Sequence, residues 1–353
     1  LTNESIFSVS GCSNNHSFHS SCIDIFDQYY NLNKCCIYCE LEKKSEADKS
    51  KLIDNKCYEI LKKLVSLEID LNKSKINKVA FKTKFRSYID ELEKISKKHN
   101  NFISQFYLFK IYHSSKYIQN NMKKAKSYCL KSAENGFGEA QFCMGKMYYD
   151  GITLKKNIDE AKKWLKLASK SNIAESHFLL YNILDEKEGI EYLKLSVECN
   201  HAPAKLQFAL KYAKTNNLIF KYLLDASKLN HYPAQFTLAS CYCEGSYGIT
   251  KDFNMAIYWY TKASNLGDSY SKYNLAIIYE REEFKNQNNS KSLKYYREAA
   301  ELNLPQAQFK LYLIFKDGLL NVKANKEISI RWLKKAYINN FEDAKIYEQI
   351  KNI

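Results

Sequence analysis

The sequence predicts an all-α fold: an α-solenoid of about eight helix-turn-helix repeats, preceded by a small Cys- and His-bearing segment and a helical connector. Three observations predict it. Large residues recur at Leu92, Tyr128, Trp164, Tyr192, Tyr222, Trp259, Tyr295 and Trp332, with gaps of 36, 36, 28, 30, 37, 36 and 37 residues. At fixed offsets from these anchors the residue type recurs too, which is the signature of a repeat array. The 353 residues include only 3 Pro and 10 Gly with 45% hydrophobic residues, which argues against a β-sandwich or a disordered linker and supplies a continuous core.

Residues 1–40 hold five of the 11 Cys, at Cys12, Cys22, Cys35, Cys36 and Cys39, beside His16 and His19. Thiolate and imidazole are the usual ligands of tetrahedral zinc. The expected cofactor is zinc, on Cys12, His16, His19, Cys22, Cys36 and Cys39, with Cys35 a competitor of Cys36. The other six Cys are scattered from Cys57 to Cys243 and read as small core residues, not a disulfide framework. That pattern suits a reducing, cytoplasmic compartment.

This segment resembles the second half of a RING finger, with Phe18 before His19 and Ile23-Asp24 after Cys22 also matching that family. The resemblance implies that Cys12, His16, Cys36 and Cys39 share one zinc, while His19 and Cys22 form half of a second site. The missing Cys–x2–Cys would lie upstream of Leu1, so the chain is expected to be a piece of a longer protein; a degenerate single-zinc finger is the alternative. By the same resemblance, Phe26 and Ile37 stand where a ubiquitin-conjugating enzyme is contacted, Phe26 in place of a Trp and Ile37 in place of a Pro. Such a finger positions a charged conjugating enzyme and has no nucleophile, so no catalytic residue is assigned.

Residues 41–84 form the connector. Leu52, Ile53, Cys57, Ile60, Leu61, Leu64 and Leu67 recur at helical spacing. This stripe is expected to pack against the first repeat, with a homodimer seam through residues 41–72 as the alternative. Lys73, Lys75, Lys78, Lys82, Lys84 and Arg86 follow with no acid between them and read as a solvated joint. Elsewhere the basic residues mostly alternate with acids, so the net charge of +15 reads as surface charge and nucleic acid is not the expected partner. The absence of an 18-residue apolar run predicts no membrane-spanning helix.

Residues 85–353 form the array. Four residues beyond the anchors stand Ser96, Ser132, Ala168, Ser196, Ala226, Ala263, Ala299 and Ala336, and twelve beyond them Ser104, Ala140, Ser176, Ala204, Ala234, Ser271, Ala307 and Ala344. Small residues at both places let two helices approach closely. Eight beyond the anchors stand Asn100, Gly136, Asn172, Asn200, Asn230, Gly267, Asn303 and Asn340. A helix that ends in a left-handed residue needs Gly or Asn there. Seven before the later anchors stand Asn121, Asn157, Asp185, Thr215, Asp252, Asn288 and Asn325, all good N-caps. Sixteen beyond, Leu108, Met144, Leu180, Phe208, Leu238, Leu275 and Leu311 open an apolar stripe, which Tyr112, Tyr148, Leu184, Tyr212, Tyr242, Tyr279 and Phe315 continue at twenty. The anchors themselves are expected to be core knobs, so that Trp259→Ala costs roughly 3–5 kcal/mol. Glu348 at the last stripe position suits a polar C-terminal cap.

The stretches Gly248-Ile-Thr-Lys-Asp252 and Ala256-Ile-Tyr-Trp259-Tyr-Thr-Lys-Ala263-Ser-Asn-Leu-Gly267, and Ala133-Glu-Asn-Gly136-Phe-Gly-Glu-Ala140-Gln with Gly145, Tyr148 and Gly151, resemble the Sel-one-like repeat family. The resemblance covers residues 85–353 and departs at Leu92 and in the two short repeats. It implies a right-handed α-solenoid that acts as an adaptor, with protein clients on its surface. Joined to the finger, it implies the substrate-recruiting arm of a RING-type ubiquitin ligase; a non-catalytic scaffold is the alternative. His201 and His231, nine beyond their anchors, are expected as loop residues on the surface, with a ligand pair as the alternative. Phosphate-loop, zinc-protease and nucleophile-elbow motifs are not found in the sequence.

Overall fold

A computed structural model describes residues 52–114, 117–281 and 284–345, together with two short strands. The strands β1 (Phe7–Ser8) and β2 (Ser17–Phe18) pair antiparallel, with Phe7 opposite Phe18. The expected zinc ligands Cys12, His16, His19, Cys22, Cys36 and Cys39 lie outside the described residues, as do Phe26, Ile37 and Glu348.

Among the described residues, the remaining elements are all helices. The chain divides into two compact units, 1–199 and 200–353. The first contains α1 (Leu52–Asn72), α2 (Lys78–His99), α3 (Phe102–Ser114), α4 (Met122–Glu134), α5 (Gly138–Asp150), α6 (Ile158–Ser169), α7 (Ala174–Ile183) and α8 (Glu186–Glu198). The second contains α9 (Ala202–Lys211), α10 (Asn216–Lys228), α11 (Tyr232–Glu244), α12 (Phe253–Asn265), α13 (Ser269–Glu280), α14 (Asn289–Glu301), α15 (Pro305–Asp317), α16 (Lys326–Ile338) and α17 (Glu342–Lys345). The boundary falls where the two shortest repeats meet. No helix among the described residues is long and apolar enough to cross a membrane.

The connector stripe packs inside the chain. Cys57, Ile60, Leu61, Leu64 and Leu67 on α1 are buried in one cluster with Phe81, Phe85, Ile89 and Leu92 of α2. These side chains are therefore not available as a seam for a second copy. The residues 84 and 85, expected to mark a joint, fall within α2. Lys78, Lys82, Lys84 and Arg86 stand exposed on that helix.

The local rules hold in every repeat. All eight residues at the turn are left-handed: φ is 47° at Asn100, 84° at Gly136, 53° at Asn172, 61° at Asn200, 57° at Asn230, 93° at Gly267, 62° at Asn303 and 60° at Asn340. All seven expected N-caps accept a backbone N–H, as when Asn325 Oδ1 accepts from Ile328 at 2.9 Å. Each such cap stabilises its helix by about 1 kcal/mol. The small residues at four and twelve are all buried. One close approach needs glycine itself: a Cβ on Gly145 would stand 2.7 Å from Leu165 Cγ, so the Leu165 side chain of α6 rests directly on the α5 backbone there.

The anchors differ from expectation. Leu92 and Trp259 are buried, but Tyr128, Trp164, Tyr192, Tyr222, Tyr295 and Trp332 are half-buried. The fully buried knob is the next residue: Cys129, Leu165, Leu193, Leu223, Tyr260, Tyr296 and Leu333. One helical step turns a side chain by about 100°, which carries it from the rim to the core. Two of the half-buried anchors stack flat on a ring of the preceding repeat instead. Tyr128 lies on Tyr112 at 6.0 Å and Tyr295 on Tyr279 at 5.9 Å, both nearly coplanar.

Candidate protein-interaction groove

Once turns, caps and core are assigned, the residues still unaccounted for lie where neighbouring repeats meet. One family of them was not anticipated. Thirteen residues beyond the anchors stand Gln105, Gln141, His177, Lys205, Gln235, Lys272 and Gln308. They are polar, yet Gln105, Gln141, His177, Lys205, Gln235 and Gln308 are buried. A buried amide must find a partner. Gln141 Nε2 donates to Ala133 O, Gln235 Nε2 to Ser227 O and Gln308 Nε2 to Ala300 O, at 3.0–3.1 Å. Each closes a carbonyl at the end of the preceding helix. The signal was present in the sequence, as an unbroken polar position inside an apolar hairpin.

In the first unit the groove between α2 and α4 has a cavity of about 330 Å³. Its floor is a ring of amides: Gln105 Nε2 donates to Asn100 Oδ1 at 2.7 Å, Asn100 Nδ2 to Asn135 Oδ1 at 3.1 Å, and Asn135 Nδ2 to Gln105 Oε1 at 3.0 Å. Its walls carry Lys97, Lys124 and Lys131 with Tyr128. Lys124 is committed. Its Nζ donates to Glu93 Oε1 at 3.1 Å and to Tyr112 Oη at 3.3 Å, and sits 4.8 Å from the Tyr112 ring. Tyr112 Oη in turn donates to Glu93 at 2.7 Å. Burial raises the Glu93 carboxyl, but the bonds from Tyr112 and Lys124 outweigh it and hold the group below its ordinary value. Burial, with the Glu93 charge behind it, pushes the Tyr128 hydroxyl up to about 12.

In the second unit the same geometry carries opposite charges. Lys205 pairs with Asp225 at 3.5 Å, and Lys272 pairs with Glu298. Each pair joins the thirteenth position of one repeat to the third position beyond the next anchor. Where that third position is a lysine, an aromatic ring covers it: Lys262 lies 5.6 Å from the Tyr258 ring and Lys335 lies 4.4 Å from that of Trp332.

His201 and His231 are half-buried N-cap residues of α9 and α11, without side-chain cap bonds, rather than surface loop residues. Burial and the neighbouring His231 push His201 down to about 4, and burial lowers His231. No group of three or more metal-ligating side chains occurs among the described residues.

The Sel1 repeat family matches residues 103–137, 138–173, 233–268, 269–304 and 305–341. Each match begins on the second helix of one repeat and ends in the turn after the first helix of the next, half a repeat out of phase with the anchor reading. Residues 174–232, which include the shortened repeats and the boundary between the units, are not matched. Two curated fungal proteins are similar. Chitin synthase regulatory factor 3 of Schizosaccharomyces pombe is 28% identical over 143 residues, covering 36% of this chain and 15% of its own. Chitin synthase regulator SKT5 of Saccharomyces cerevisiae is 27% identical over 131 residues, covering 36% of this chain and 18% of its own. The chain thus spans less than a fifth of these relatives' length. Among solved structures, c5321 from uropathogenic Escherichia coli, a protective antigen with an SLR fold, matches with a TM-score of 0.63 at 18% identity, over 90% of this chain and 68% of that one. A Sel1 repeat protein from Oxalobacter formigenes matches with a TM-score of 0.59 at 16% identity, over 89% and 90%. At these identities the likeness is one of fold.

Proposed function

Because this chain belongs to the Sel1 repeat family, we propose that it is a protein-interaction adaptor that holds partner proteins on the outward side chains of its repeats. One observation carries this reading. The repeats close their turns, caps and core, and leave outward residues that these do not use, such as Lys131 and Tyr270. Exposed tyrosines on rigid helices are usual anchors of binding surfaces. The fungal relatives are named as regulators of an enzyme, which supports a role in holding such a client. Crosslinking the intact chain to partners captured from its native extract tests it. Crosslinks should concentrate on the outward residues; no partner at near-equimolar amounts would sink the reading.

For residues 1–40 the reading is a zinc finger held by Cys12, His16, His19, Cys22, Cys36 and Cys39. The donor set of thiolates and imidazoles supports it. Zinc bound to the purified chain, and lost with Cys39→Ser, tests it. The finer reading is that this finger docks a ubiquitin-conjugating enzyme through Phe26 and Ile37, with the repeats recruiting the substrate. The full-length protein would then form ubiquitin chains with a conjugating enzyme and lose that activity with Ile37→Ala. Unchanged partner binding without any such activity would leave a scaffold with a structural finger.

A further inference from the structure

We propose that the groove between α2 and α4 takes an acidic peptide segment of a partner protein, with Lys97 and Lys131 pairing its carboxylates. The inference rests on the adaptor reading and names the chemistry of one of its sites. The argument is a comparison of equivalent positions. Three residues beyond the later anchors stand Lys131, Leu167, Leu195, Asp225, Lys262, Glu298 and Lys335. The two acids are paired to lysines of the preceding repeat, and Lys262 and Lys335 lie over rings. Lys131 has neither an acid nor a ring against it among the described residues. Five residues beyond the anchors the chain carries Ala133, Ser169, Val197, Ser227, Ser264, Ala300 and Tyr337, but Lys97 in the first repeat. Lys97 too makes no ion pair among the described residues. The first groove thus holds Lys131 without an acid against it and Lys97 with only a longer-range attraction to Glu93, whose hydrogen bonds are taken by Lys124 and Tyr112.

The other features of the groove suit a peptide. The amide ring of Asn100, Gln105 and Asn135 fixes the floor, so the walls are held apart before anything binds. A cavity of about 330 Å³ admits a few side chains, not a duplex. Farther along the unit, Lys163 and Lys166 of α6 pair with Glu160 and with Glu188 of α8. A phosphate backbone running along the helices would meet those acids, whereas a short acidic segment need not reach them.

The probe is a fluorescein-labelled Glu-rich peptide, titrated with the intact chain and followed by fluorescence polarisation. Saturable binding is expected, weakened at least about tenfold by K97E with K131E. The control is K170E with K187E, which changes net charge equally on exposed lysines elsewhere in the unit; it should change affinity less than about twofold. K97A with K131A serves as a second variant, and circular dichroism reports folding of all three. Equal weakening by both reversals, or no saturable binding, overturns the proposal. So does tighter binding of a labelled single-stranded RNA with the same loss on Lys97 and Lys131. Failure here is separable from failure of the adaptor reading. Partners captured equally well by K97E/K131E leave the adaptor intact without this groove, and no captured partner removes both.

Discussion

The hairpin turns and the inter-repeat grooves come from the same repeats under different constraints. At the turn, eight repeats use only Asn or Gly, and all eight residues are left-handed. Other side chains clash with the backbone in that conformation, so the residue type is set by geometry. At the equivalent groove positions stand Gln105 and Lys131, Lys205 and Asp225, Gln235 and Lys262, and Lys272 and Glu298, of which the second and fourth sets are ion pairs. Backbone geometry does not dictate these choices. The turn therefore specifies that the chain is a solenoid, and the groove is where one solenoid can differ from another in what it holds.

The comparison breaks most severely in the core. Leu223 is fully buried while its neighbour Tyr222, the anchor, is half-buried. Leu223→Ala should destabilise by about 3–4 kcal/mol through the cavity it leaves, and Tyr222→Ala by less than half of that. Urea midpoints of the two variants check the ranking; a larger loss at Tyr222 would restore the anchor as the knob. Next in size is a pH effect. His201 titrates at about 4 in the folded chain, against about 6.5 unfolded, chiefly because it is buried. Between those values the unfolded chain binds more protons. Stability is therefore complete above about pH 6.5 and falls as pH drops toward 4, by no more than roughly 3 kcal/mol. His201→Gln should flatten that slope in urea titrations at stepped pH. At the turn, Asn303→Ala should destabilise by about 1 kcal/mol, and Asn303→Gly by almost nothing, since φ is 62° there.

How far the molecule was legible follows from the same division. Turn residues, N-caps and small helix-contact residues obey rules that act within a few residues, so Asn303, Asp252 and Ala263 could be placed by counting. The knob was misplaced by one position because Trp164 and Leu165 are both large, and only packing shows which of them enters the core. The buried Gln308 was missed although its period was countable, because a polar residue in an apolar hairpin reads as surface until its carbonyl partner is seen. The boundary at residues 199 and 200 has no local signal, since Asn200 turns like the other seven. Lys131 shows the limit most clearly. Its residue type was visible, but that it lacks a partner depends on what neighbouring helices bring beside it.

The smallest change tests the idea behind the comparison. Glu298 neutralises Lys272 and also reaches Lys294 at 3.8 Å. All three side chains retain solvent contact, so these pairs contribute under about 1 kcal/mol between them. Glu298→Gln should accordingly leave the urea midpoint nearly unchanged, because neither turn, cap nor core depends on that charge. It should, however, leave Lys272 and Lys294 at the groove between α12 and α14 without the acid that pairs them. Polarisation of the same Glu-rich peptide should then report a second site, removed again by Lys272→Gln in the Glu298→Gln background. If Glu298→Gln instead unfolds the second unit, the groove charges belong to the fold after all. The distinction between turn and groove would then fail in the unit where it is drawn most sharply.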